Sequence, residues 1–99
     1  MLKELQLKYG EAFNWFEPSS KRVLEVQLAK ELIPEHPLFG LSLKAVGKNE
    51  RNDDVLFSDS KDYYLIHLTW SAGTKNYPHY RKIDTETIRS ALEEDYLYN

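Results

Sequence analysis

The sequence predicts one α+β domain over residues 1–99: an antiparallel β-meander of about three strands with two to three helices on one face. Three observations carry the prediction. Residues 53 to 70 hold the densest run of β-formers in the chain, Asp59-Ser60-Lys61-Asp62 interrupts that run with turn residues, and Leu24, Leu28 and Leu32 recur at helical spacing after a Pro-Ser-Ser stop.

The hairpin is the best-defined element. Val55 to Ser58 and Tyr63 to Trp70 are rich in branched and aromatic side chains that suit a pleated, half-buried surface. With Ser58 opposite Tyr63, the two-residue period puts Val55, Phe57, Tyr64, Ile66, Leu68 and Trp70 on one face, and Leu56, Tyr63, Leu65, His67 and Thr69 on the other. The same register sets Asp54 opposite His67, an acid beside an imidazole across the ladder.

Before the hairpin, Leu2, Leu5, Tyr9, Ala12, Phe13 and Phe16 follow a helical spacing that Gly10 weakens, so a broken helix is expected. Ser20 starts a second helix running to Leu32. Its Leu24, Leu28 and Leu32 line is matched by a second line of Val26, Ala29 and Ile33. A helix wedged between the sheet and the N-terminal segment would use both, and so would a homodimer seam; the expectation is a monomer, with the dimer as alternative. Pro34, Pro37 and Gly40 shape a connector, after which Leu41 to Lys48 alternates as a first strand and leaves open whether Leu43 or Val46 faces the core. Past Trp70 comes a basic loop, residues 71–82, with Lys75, Arg81 and Lys82, two tyrosines, a histidine and no acid. Asp84 or Thr85 caps a last helix with Ile88, Ala91 and Leu92 inside, and the acidic tail 93–99 is expected to fray.

Composition narrows the function. An apolar fraction of 41% supports a core, and 13 basic against 16 acidic residues give a formal charge of −3, which argues against general affinity for nucleic acid. The lack of cysteine removes disulfides, thiolate metal sites and cysteine nucleophiles. No apolar run approaches the roughly 20 residues that span a bilayer, and Met1-Leu2-Lys3-Glu4-Leu5 alternates charge where a signal peptide would be apolar. A cytoplasmic protein is expected.

Candidate site residues fall in two groups. His36, Asp54 and His67 have the donor types for a metal, but their spacing matches no fixed ligand motif, so neither metal nor cofactor is expected; the plain alternative is a strand histidine held by Asp54 and a His36 that shapes the proline turn. His67 oriented by Asp54 would also serve as a general base, with Lys75, His79 or Arg81 on a phosphate or oxyanion, as in a small hydrolase or nuclease. Lys75, Tyr77, His79, Arg81 and Lys82 form the second group. They could hold nucleic acid or a protein partner with an acidic surface, or simply lie along the sheet and pair with the acidic last helix.

His36-Pro37-Leu38-Phe39-Gly40, Asp53-Asp54-Val55-Leu56-Phe57 and His67-Leu68-Thr69-Trp70, in that order, resemble the signature of a small bacterial protein family to which no activity is assigned. The resemblance covers residues 13 to 80 and implies a single α+β domain and no catalytic residue. A compositional likeness to immunity-type proteins of toxin systems goes no further than that. The function expected from the residues is noncovalent binding of a protein or small ligand around His67 and the basic loop, with the hydrolase, immunity-type and nucleic-acid readings as alternatives.

Overall fold

The computed structural model describes residues 1–98. Helix α1, Leu2–Tyr9, ends where Gly10 takes a left-handed φ of 74°, and a single 3-10 turn, Gly10–Ala12, completes it; the expected broken helix holds that far, but Phe13 is extended and Phe16, also expected in it, is in a strand. Strand β1 is Trp15–Phe16, helix α2 is Lys21–Glu31, and strands β2 to β5 are Lys44–Asn49, Asp54–Ser58, Tyr63–His67 and Tyr80–Ile83. Helix α3, Ile88–Tyr98, closes the chain after Asp84 Oδ1 accepts from the Thr87 amide at 2.9 Å.

Among the described residues the strands form one antiparallel sheet in the order β1-β2-β3-β4-β5. The three expected strands are its centre, and two more flank them. Residues 80–82, expected as loop, belong with Ile83 to β5 and pair with β4, Ile66 opposite Tyr80, while Trp15 and Phe16 pair with Asn49 and Lys48. The hairpin register is as expected: Ser58 faces Tyr63 and Asp54 faces His67. Strand β4 stops at His67, however, and Trp70 has left the sheet.

The helices lie on both faces, which corrects the one-face arrangement. Leu24 and Leu28 of α2 pack with Leu43, Ala45, Val55, Phe57, Tyr64, Ile66 and Leu68 on one side. Leu2 and Leu5 of α1, with Ile88 and Leu92 of α3, cover Trp15, Leu56, Ile83, Tyr63 and Leu65 on the other. Strand β3 is consequently buried on both sides, with Val55, Leu56 and Phe57 all inaccessible. Leu43 and Val46 both find a core, because the sheet has two and a bulge between Ala45 and Gly47 re-aims β2.

The expected wedge for α2 is also corrected, since α1 lies across the sheet from it. Of the second line, Val26 and Ala29 are exposed and Ile33, past the helix end, is half-buried; Val23 is exposed as well. Helices α1 and α3 run side by side and parallel, tied by Glu4–Arg89 at 2.7 Å and Lys8–Glu93 at 2.9 Å, one helical turn apart on each helix. The tail expected to fray is helical to Tyr98, held by Asp95 Oδ2, which accepts from Asn14 Nδ2 at 2.8 Å and Trp15 Nε1 at 3.1 Å; Asn99 lies outside the described residues.

Candidate binding surface

The site grows from the open end of the β3–β4 hairpin. Asn52 Oδ1 accepts from the Asp54 amide at 2.8 Å, a local turn that feeds the chain into β3 and sets Asp54 at the strand's first position. Across the ladder, His67 Nδ1 lies 2.7 Å from Asp54 Oδ1. With Asp54 ionised, Nδ1 carries the proton and donates it, so Nε2 is left as the open position of a ring that is 56% exposed.

Strand β5 extends this row. The His67 amide donates to the His79 carbonyl at 3.0 Å, one step beyond the Ile66–Tyr80 pair, so His79 is the cross-strand neighbour of His67. Arg81 is opposite Leu65, two residues along on the same face as His67, and is exposed. The Tyr77 ring stacks on His79 with centroids 4.4 Å apart. Thr74 shapes the approach: its amide donates to the Tyr77 carbonyl, and its Oγ1 accepts from the Asn76 and Tyr77 amides, which leaves Lys75 exposed at the loop tip. Asp54, His67, His79 and Arg81 thus share one face, with Tyr77 flat against it.

Two candidates are not brought to this surface. Lys82 alternates to the opposite face, opposite Tyr64, where the Asp62 carboxylate 3.4 Å away raises its ammonium above the ordinary lysine range. His36 is buried on the α2 side of the sheet. Its Nδ1 accepts from the Leu38 amide at 3.0 Å, so Nε2 holds the proton and donates to the Pro78 carbonyl at 2.9 Å, while its ring lies against Tyr80. Both nitrogens are committed, Nδ1 within the proline connector and Nε2 in joining it to the β4–β5 loop, so the His36, Asp54 and His67 set is not assembled.

Sequence reasoning missed Glu31. This carboxylate has 0% exposure and accepts from the Thr69 amide and Oγ1, the Trp70 amide and Gln27 Nε2, all between 2.7 and 3.0 Å. It fixes the residues after β4, where Trp70 takes a left-handed φ of 58° and its indole donates to Asp53 Oδ1 at 3.2 Å. The available signal was position: Glu31 falls seven residues after Leu24 and three after Leu28, on the inner side of the helix. Elsewhere, a groove of about 510 Å³ opens beside α1 and β1, walled by Phe13, Trp15 and Phe16 with Glu11 and Glu50 at its lining. None of its residues belongs to the His67 row.

Among the described residues, no helix is long and apolar enough to cross a membrane. No protein-family model, no curated protein and no solved structure matches the chain.

Proposed function

We propose that this is a noncovalent binding module of the bacterial cytoplasm, a member of the small family its three motifs resemble, acting as a monomer on a protein partner with an acidic surface. The supporting observation is the row on one sheet face in which His67, held by Asp54 at 2.7 Å, is followed by His79 and flanked by Arg81. The Arg81 guanidinium and the exposed His79 imidazole can donate to carboxylates presented by another protein, His67 Nε2 stands beside them as an acceptor, and Tyr77 adds a rigid amphipathic contact. The overall charge of −3 favours a protein with a local acidic patch over a nucleic acid.

A pull-down from bacterial lysate with the wild type, with His67→Ala, and with Lys75→Glu combined with Arg81→Glu tests the reading. A discrete protein recovered by the wild type and lost in the charge-reversed variant supports it. Recovery of the same proteins by all three forms overturns it. Nucleic acid released steeply by salt would move the assignment to a nucleic-acid binder.

The Asp54–His67 contact favours a second reading, a hydrolase in which Nε2 of His67 is the general base and Arg81 stabilises an anion. Turnover of a phosphoester panel that disappears with His67→Ala would establish it.

A further inference from the structure

On the other face of the sheet, the Trp70 segment is built against its own backbone preference. A non-glycine residue at φ 58° is strained, and such strain persists only where the surroundings over-determine it. Here they do. Glu31 holds the amides of Thr69 and Trp70 from below, and Gly73 packs so closely on the end of α2 that a Cβ there would overlap the Glu31 carbonyl oxygen. The product of this arrangement is an indole that is 48% exposed, fixed at its Nε1 by Asp53, and set beside the outer line of α2.

Trp70, Val23 and Val26 border a groove of about 350 Å³. Val23 is 56% and Val26 42% exposed, so this apolar surface has no cover within the described chain. The charged side chains that line it are Arg22 and Lys30, and neither is in the ion pairs formed among the described residues. One carboxylate, Asp53, stands at the groove on the indole N–H, whereas Glu25 is engaged with the Ala45 amide at 2.9 Å, Glu17 with Lys21 at 2.6 Å, and Glu31 in its buried clamp. A fixed aromatic wall, two valines and two available cations make a hydrophobic anchor point with a positive rim.

We propose that the groove between Trp70 and the outer side of α2 is a docking site for an apolar side chain carried on an acidic segment of a protein partner. The site lies across the sheet from the His67 row and does not depend on that row having a function.

The test is a displayed library of peptides of about twelve residues, each with one central leucine, phenylalanine or tryptophan among random neighbours, selected on the wild-type protein. Enrichment of aspartate and glutamate around the central residue is expected. The chain has two tryptophans, and Trp15 is buried, so each indole gives its own N–H signal in a nitrogen-15 spectrum. The selected peptide should move the Trp70 signal and leave that of Trp15 in place. Val26→Glu, and separately Arg22→Glu with Lys30→Glu, should each weaken binding about tenfold or more, and all three positions are exposed enough for the variants to fold. Selection of basic peptides, no enrichment, or undiminished binding by both variants would overturn the proposal. So would a Trp70 signal that moves with protein concentration alone, which marks a second copy as the occupant, or one moved only by phosphatidylserine vesicles, which marks a lipid surface.

Discussion

Gly73 lies against the main chain of Glu31 so tightly that the space for one methyl group between them does not exist: a Cβ on Gly73 would overlap the Glu31 carbonyl oxygen and stand 2.5 Å from its carbonyl carbon. Because the obstacle is backbone at the end of a packed helix, it cannot swing aside as a side-chain tip would. Gly73→Ala is expected to lower unfolding free energy in urea by about 3 kcal/mol, at the upper end for overpacking, and to shift the Trp70 indole signal. Unchanged stability would show that the loop stands off α2 in solution.

Replacing Glu31 by glutamine keeps the shape of the side chain but leaves a single oxygen for the donors of Thr69, Trp70 and Gln27, and turns an amide toward at least one of them. A cost of about 2 kcal/mol is expected, since the unmatched donors are out of water. Acrylamide quenching should then rise for Trp70, while Trp15 stays protected.

The Asp54–His67 pair should behave differently. The His67 ring is more than half exposed, so Asp54→Asn is expected to change stability by less than about 1 kcal/mol. What should change is the ring itself: without the carboxylate, the nitrogen-15 shifts of His67 should report a mixture of its two neutral tautomers. Partner recovery in the pull-down should fall with it if His67 orientation is what the partner reads.

Acid should loosen the molecule at two identifiable carboxylates. Hydrogen bonds from Tyr9 and then Lys8 hold the Glu93 carboxyl below its ordinary range, and the Asp62 and Lys61 amides do the same for Asp59. In each case the folded value is depressed, so the stabilisation is complete above the ordinary carboxylate range and is lost as pH falls through that range toward the lowered folded value. The melting temperature is expected to drop on acidification from about pH 6 to about pH 2, and Glu93→Gln should lower it at neutral pH while flattening the acid limb. An acid limb of unchanged steepness in Glu93→Gln would remove this contact from the account.

Some of this could be read from residue order alone. The hairpin and its register follow from alternation, because Val55, Phe57, Tyr64 and Ile66 must share a face, and the Asp54–His67 contact follows from the register. The two-sided core was written in the same residues: Leu56, Leu65 and Tyr63 make the second face apolar as well, as strands covered on both faces require. The outer strands were not legible. Trp15–Phe16 is too short to show a period, and the Tyr80–Ile83 pattern of two cations between a tyrosine and an isoleucine is that of an edge strand whose charges face outward on both sides. That alternation separates Arg81 from Lys82, adjacent in sequence, onto opposite faces. Glu31 escaped because a charge on the inner side of a helix becomes intelligible only once the amides it meets, 38 and 39 residues later, are in place.

The parallel pairing of α1 with α3 bears on how the protein meets mechanical load. Glu4 lies by Arg89 and Lys8 by Glu93, so the two helices point the same way and opposed pulls on Leu2 and Tyr98 draw them past each other lengthwise. Contacts strained in that direction share the force, whereas helices pointing in opposite senses would unzip turn by turn. The Asp95 contacts with Asn14 and Trp15 add resistance at the far end of the same seam. Stretched between Leu2 and Tyr98, the α1–α3 pair is loaded in shear along its length.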